Sequence, residues 1–144
     1  MPETTLRHAL ADDIPDVLAF WRTAAEDAHR PADDEAAVAS LLARDPEALI
    51  LAVEGEDIVG TVVAGWDGWR CNLYRLAVSP ERRRRGIGRL LVRAAEERFA
   101  RLGGTRAAAM VLNGNALAHS TWRACGYAPQ SEWSRWVKPL SPVR

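Results

Sequence analysis

The sequence predicts a single mixed α/β domain over residues 1–144, with one sheet of six to seven strands and about four helices. Three observations carry that prediction. Three apolar, β-branched runs follow one another through short turns between positions 48 and 78. A long amphipathic helix pattern succeeds the third run. A short apolar run at 106–112 comes directly after that helix, so strand, helix and strand stand in the order of a parallel crossover.

The elements read as follows in chain order. "TTLRHAL" (4–10) alternates weakly and suits a first strand. "ADDIPDVLAFWRTAAEDA" (11–28) suits a helix: Asp12 or Asp13 can cap it, Pro15 fits a first turn, and Val17, Leu18, Trp21 and Ala25 share a face. "PADDEAAVASLLARDP" (31–46) suits a second helix with an acidic start and a proline at its stop. The run 48–68 holds two strands around Gly55-Glu56-Asp57, a hairpin signal, and "CNLYRLAV" (71–78) follows the turn at Asp67-Gly68. From Gly86 to Leu102 the apolar positions 87, 91, 95, 99 and 102 fall on one face, and Gly103-Gly104 ends the helix. "NALAHSTWRAC" (115–125) is a short helix with Asn115 as cap, and 127–140 carries one or two last strands.

Acidic and basic residues balance at 19 each, which argues against a nucleic-acid binder. No apolar stretch approaches the ~20 residues of a membrane span, and the N-terminus lacks the apolar core of a signal peptide. Cys71 and Cys125 form no CxxC pair, and His8, His29 and His119 sit at no metal-ligand spacing. A reduced, cytoplasmic protein without a metal, a nucleic-acid partner or a membrane partner is the expectation.

Against this neutral background "RRRRGIGRLL" (82–91) concentrates four arginines before a helix start. The first N–H groups of a helix lack intrahelical acceptors and point outward with the positive end of its dipole. Gly86 and Gly88 permit close backbone approach, and arginines add bidentate contacts, so a pyrophosphate is a natural ligand. A solvated, arginine-rich turn is the plain alternative. The Gly-Lys-Ser/Thr of a P-loop is missing, as is the third glycine of a dinucleotide-binding turn.

"LYRLAVSPERRRRGIGRLLVRAAEERF" resembles the acetyl-coenzyme-A-binding segment of the GNAT superfamily of N-acetyltransferases. Its Arg/Gln-x-x-Gly-x-Gly/Ala pattern is matched at Arg83, Gly86 and Gly88. A later family pattern is matched at Asn115, Ala118, Gly126 and Tyr127, and "GTVVAGWDGWRCNLYRLAVSP" is similar to small bacterial members. The resemblance implies the GNAT-like acyl-CoA N-acyltransferase fold and acetyl-CoA as cofactor. It implies direct acetyl transfer to a primary amine, on a small molecule or a peptide, in a ternary complex. The same fold without turnover, a non-catalytic acyl-CoA-binding module, is the alternative; a cofactor-free interaction domain is a third. Family and tryptophan-rich C-terminus together leave a homodimer open.

The resemblance also implies roles. The backbone at Leu76, Ala77 and Val78 lines the pantetheine arm, and the Val78 N–H serves the thioester oxygen. Amides across Arg84, Arg85, Gly86, Ile87, Gly88 and Arg89 hold the pyrophosphate, with the side chains of Arg83, Arg84 and Arg89 near it; Arg82 is the weakest candidate of the run. Asn115 and Ala118 lie beside the cofactor. Arg84 stands where the family often has glycine. The family's usual proton-donating tyrosine is replaced by Trp122, which can hydrogen-bond the sulfur or simply pack. Candidate bases are Glu26, Asp27, His29, Tyr74 and His119, with Tyr74 first because it lies an even number of residues from Val78 and should share its strand face. Cys125, before the helix-ending glycine, reads as packing rather than as a nucleophile. Trp21, Trp66, Asp67 and Trp69 fall in segments that approach the acceptor. Filling a small core or a subunit contact is the simpler reading for Trp21 and Trp136, and Asp67 can face an amine or merely serve its turn.

Overall fold

The computed structural model describes residues 3–25 and 31–142. Five strands form one sheet in chain order: β1 Thr4–His8, β2 Leu49–Glu54, β3 Asp57–Trp66, β4 Cys71–Val78 and β5 Ala107–Ala109. The first four are antiparallel to their neighbours, and β5 runs parallel to β4. Helices α1 Ile14–Ala24 and α2 Glu35–Arg44 join β1 to β2; α3 Ile87–Arg101 joins β4 to β5; α4 Ala116–Ala124 follows. Glu26, Asp27 and His29 lie outside the described residues.

Local chemistry sets the helix starts. Asp34 caps α2 through its carboxylate, which accepts the Ala37 N–H at 2.8 Å. The expected helix at 11 begins instead with a single 3-10 turn over Ala11–Asp13. The Asp13 carboxylate accepts the Leu10 N–H at 2.7 Å and a bidentate pair of bonds from Arg7, which together hold its carboxyl below the usual range.

Two cores sandwich the sheet. On one face Ile50, Val62, Ala64 and Leu73 meet Leu91, Val92, Ala95 and Phe99 of α3 and Trp122 of α4. On the other, Leu49, Leu51, Val53 and Val63 meet Val17, Trp21 and Val38 of α1 and α2. Alternate residues of β2 therefore feed opposite cores, and each fully buried Val or Leu contributes roughly 1.5–3 kcal/mol. Gly104 lets the chain turn from α3 into β5: a Cβ there would collide with Sγ of Cys71 and stand 3.1 Å from the Phe99 carbonyl. Gly104→Ala is expected to lower stability by about 1–3 kcal/mol through overpacking, read as a shift of the urea midpoint at constant m-value.

The sheet differs from the expectation at its end. Among the described residues there are five strands rather than six to seven, and the expected strand at 106–112 is shortened to Ala107–Ala109. No strand forms in 127–140. A strand needs a neighbouring edge to receive its N–H and C=O groups, and this segment lies along none; Pro129 and Pro139 each lack a donor as well.

Candidate active site

The ladder between β3 and β4 slips once. Thr61 faces Ala77, but Val63 faces Tyr74, so Arg75 and Leu76 together oppose Val62. This bulge puts Arg75 at φ 53°, a left-handed backbone that arginine adopts only when its surroundings impose it. The imposing contacts are buried. Trp21 Nε1 donates to Thr61 Oγ1 at 2.9 Å, and Thr61 Oγ1 donates to the Arg75 carbonyl at 2.8 Å. The Arg75 guanidinium lies 4.8 Å over the Trp21 ring and pairs with Asp33 at 2.6 and 2.8 Å. None of Thr61, Arg75 or Asp33 stands out in the sequence. A threonine in a β-branched run looks like strand filler, and its two partners lie 40 and 14 residues away.

Beyond the bulge β4 parts from β5. Parallel pairing is confined to Cys71–Leu73 against Ala107–Ala109, so the stretch from Tyr74 to Val78 has no β5 partner. The Ser79 N–H donates to Val59, and backbone groups alternate sides along a strand, so the Val78 N–H points away from β3 into this opening. Ala77 does not share that exposure: opposite Thr61, it turns its backbone groups to β3. The Leu76 and Val78 side chains pack toward α3. The bulge also overturns the expectation for Tyr74. One extra residue inverts the alternation, so Tyr74 stands on the face of α2 and Gly65, opposite Val78.

The arginine turn closes the far end of the opening. Arg84 has φ 68° and Gly86 φ 81°; these two left-handed residues turn the chain into α3. No side chain caps that helix, and its first internal bond runs from Leu90 N–H to the Gly86 carbonyl, so the amides of Ile87, Gly88 and Arg89 have no intrahelical acceptor. Gly88 sits at the corner of three elements: a Cβ there would lie 3.7 Å from Val78 Cγ2 and 3.6 Å from Thr121 Cγ2 of α4. Arg83, Arg84 and Arg85 are exposed. Arg82 is not part of that group, because its Nε donates to Glu54 at 3.0 Å. Arg89 leans on the C-terminal end of α4 through the Ala124 carbonyl at 3.3 Å.

Asn115 caps α4, its Oδ1 accepting the Ala118 N–H at 3.0 Å, and Ala118 packs on the α3 core. Trp122 is buried in that core, edge-on to Tyr127 with centroids 4.9 Å apart. The Tyr127 hydroxyl donates to Glu96 at 2.7 Å, and burial followed by that carboxylate pushes its pKa above the ordinary value. The Cys125 thiol is likewise pushed up, by burial first.

The acceptor-side candidates separate. Trp21 is core, spent on Thr61 and Arg75. Asp67 serves its turn: Oδ1 accepts the N–H groups of Arg70 at 2.6 Å and Trp69 at 2.8 Å, and these bonds lower its pKa. Trp69 is exposed beneath the Arg70 guanidinium, 3.5 Å from the ring centroid. Trp66, Asp67, Asn72 and Tyr74 line one side of a cleft of about 170 Å³, with Arg44 and Asp45 opposite. His119 Nε2 is bonded to the Leu112 carbonyl at 3.0 Å. Among the described residues no group of His, Cys, Asp and Glu could hold a metal, and no helix is long and apolar enough to cross a membrane.

A parallel strand pair that opens beside an amide-rich, arginine-lined helix start suits an anionic ligand with an extended arm. The comparisons with known proteins agree. Residues 14–127 match the acetyltransferase (GNAT) family. An acetyltransferase of Sodalis glossinidius is 30% identical over 120 residues, 83% of each chain. The fold is shared with Ard1 from Thermoplasma volcanium, at TM-score 0.75 and 20% identity, covering 87% of this chain and 82% of that one. It is shared too with AAC(6')-Iy in complex with a CoA-S-monomethyl-acetylneamine bisubstrate analog, at TM-score 0.75 and 15% identity, covering 96% and 99%. The chain belongs to the GNAT acetyltransferase family, and acetyl-CoA is its cosubstrate.

Proposed function

We propose that this acetyltransferase moves the acetyl group of acetyl-CoA onto a primary amine by direct attack in a ternary complex. The observation that carries the reading is the juxtaposition of the unpaired β4 edge at Tyr74–Val78 with the uncapped start of α3. Acetyl-CoA supplies an activated acyl thioester. The amides of Ile87, Gly88 and Arg89 and the exposed Arg83, Arg84 and Arg85 bind its pyrophosphate, and Leu76 and Val78 flank its arm. The Val78 N–H donates to the carbonyl oxygen, where negative charge grows during attack. Asn115 and Ala118 border the same opening by holding the start of α4.

Trp122 supplies no proton in this reading; its burial accounts for it as core. A thiol leaving group with pKa near ~8.5 departs without a dedicated acid, at the cost of the ~10²–10⁴-fold that one provides. In this reading the amine loses its proton to solvent before attack. His119, tied to the Leu112 carbonyl, and Tyr74, on the far sheet face, do not take it, and the pH profile tests the reading against Glu26, Asp27 and His29. The acceptor is a small molecule or peptide end that approaches the Val78 N–H where β4 has no β5 partner. The bisubstrate analog held by AAC(6')-Iy, an acetylated amino sugar joined to coenzyme A, supports an amine acceptor.

Calorimetric titration with acetyl-CoA, with Arg83→Ala/Gly86→Glu alongside, tests the cofactor site. The unaltered protein is expected to bind and the double variant to show no heat. Equal binding by both would remove the proposed site. Binding without thiol release across an amine panel would favour the non-catalytic acyl-CoA-binding module. The pH profile tests the proton step. With free amine as the attacking species, kcat/KM is expected to rise about tenfold per pH unit toward the amine's own pKa, ~10.4 for a lysine-like acceptor. An inflection near ~6.5 would instead mark a histidine base.

A further inference from the structure

We infer that Glu54 is a positioning residue for the cofactor: through Arg82 it fixes the start of the arginine turn that receives the pyrophosphate, a role that rests on the cofactor site proposed above. Glu54 ends β2 with 10% of its side chain exposed, and both carboxylate oxygens are engaged. Oε1 accepts Arg82 Nε at 3.0 Å, and Oε2 accepts the Thr4 hydroxyl at 3.1 Å. Thr4 faces Glu54 across the β1–β2 ladder, so the second bond anchors the carboxylate to the sheet. The Arg82 guanidinium, ahead of the Thr4 hydroxyl, holds the Glu54 carboxyl below its ordinary range, and the pair is ionic at neutral pH.

The place of this pair in the chain gives it a task. The chain leaves β4 through Ser79, whose N–H donates to the Val59 carbonyl of β3 at 2.8 Å, and makes one 3-10 turn over Pro80–Arg82. Arg82 is the last tie to the sheet before α3: among the described residues, 83–86 make no hydrogen bond to it. That stretch carries three exposed arginines in succession and the left-handed residues Arg84 and Gly86. Adjacent like charges repel and a left-handed arginine is strained, so the turn needs an outside hold. Glu54 supplies it, bonding Arg82 and lying close enough to Arg85 to feel its charge. Glu81, the other carboxylate of the segment, is spent on the Ser79 hydroxyl at 2.5 Å. A turn held in advance presents the amides of Ile87, Gly88 and Arg89 with less ordering left for the ligand to impose.

Charge and position pull in opposite directions here. Acetyl-CoA is a polyanion, so by Coulomb attraction alone the loss of a nearby carboxylate tightens its binding. A positioning role has the reverse sign, because Arg82 is released and the turn with it.

Calorimetric titration of the full chain with acetyl-CoA separates the two. Glu54→Gln is expected to weaken binding about tenfold, with far-UV circular dichroism unchanged. Arg82→Gln is expected to match it, and the double variant to bind no more weakly than either, because the two residues act as one pair. S-acetylpantetheine, which keeps the thioester arm and lacks the pyrophosphate, is expected to bind the unaltered protein and Glu54→Gln equally. Unchanged or tighter acetyl-CoA binding by Glu54→Gln overturns the role of Glu54 and leaves the cofactor site standing. Losses that add in the double variant also overturn it, because Arg82 would then be a phosphate ligand in its own right. So does an equal loss for both ligands, the mark of general damage. No binding by the unaltered protein removes the cofactor site itself, and this role with it.

Discussion

Thr61→Val is expected to cost about 2–4 kcal/mol of stability and to weaken acetyl-CoA binding, although Thr61 touches no part of the proposed site. The exchange keeps shape and removes one hydroxyl. Trp21 Nε1 then lacks its acceptor and the Arg75 carbonyl its donor, and both groups are enclosed beside a residue with no exposed surface. Each buried orphan costs ~1–3 kcal/mol. The loss has a second consequence because of where the carbonyl lies. Arg75 holds a left-handed backbone against its own preference, and the hydroxyl is one of the contacts that hold it there. Relaxation of the bulge moves the edge that ends at Val78. Thr61→Ser, which keeps the hydroxyl, is expected to restore most of both properties. Urea unfolding and calorimetry of the two variants read the effects separately. Equal affinity in the valine and threonine proteins would show that the bulge stands without this relay.

Arg98→Met is expected to cost about 2–4 kcal/mol, somewhat under the full penalty for breaking a buried ion pair. Arg98 is almost wholly buried; it donates to the Ala64 carbonyl and reaches both Asp45 oxygens at 2.6 Å. The Asp45 side chain keeps 22% of its surface in solvent, so water screens part of the loss. The pair ties the last turn of the long helix α3 to the end of α2 beside the Ala64 carbonyl of β3, and Asp45 also lines the cleft beside Tyr74. Adding Asp45→Asn to Arg98→Met is expected to cost less than the two single changes summed, because the second removes a charge the first has stranded. Strict additivity in chemical denaturation would mean that the pair contributes nothing as a pair.

Most of the element order was legible in the sequence, for reasons that are local. The apolar positions at 87, 91, 95 and 99 follow the helical period and are buried by α3, together with Val92 and Arg98, whereas Leu102, expected on the same face, lies past the helix end and is exposed. Turn chemistry at Gly55 and Gly68 separated three strands that share one composition. The arginine turn was legible because charge, glycine and helix start coincide within ten residues. Legibility failed where the answer depends on a neighbour. The strand expected at 127–140 has the right residues, but pairing is a property of two segments, and no edge of its own chain receives it. Tyr74 was placed beside Val78 by counting in twos, which one inserted residue defeats. Asp67 showed an available carboxylate, and only the folded turn shows it occupied.

By itself, then, the sequence determined the helices, the antiparallel run of strands, the family motifs and the place of the arginine-glycine turn, because each rests on periodicity or on residues close together in the chain. The tertiary structure alone decided that β4 bulges at Arg75 and parts from β5 after Leu73. It also decided that Trp21 and Trp122 belong to the two cores. The bulge and the place of Trp21 depend on a hydroxyl, an indole and a carbonyl meeting across 40 and 14 residues of chain, and Trp122 on the packing of α4 against α3, contacts that a linear pattern does not encode.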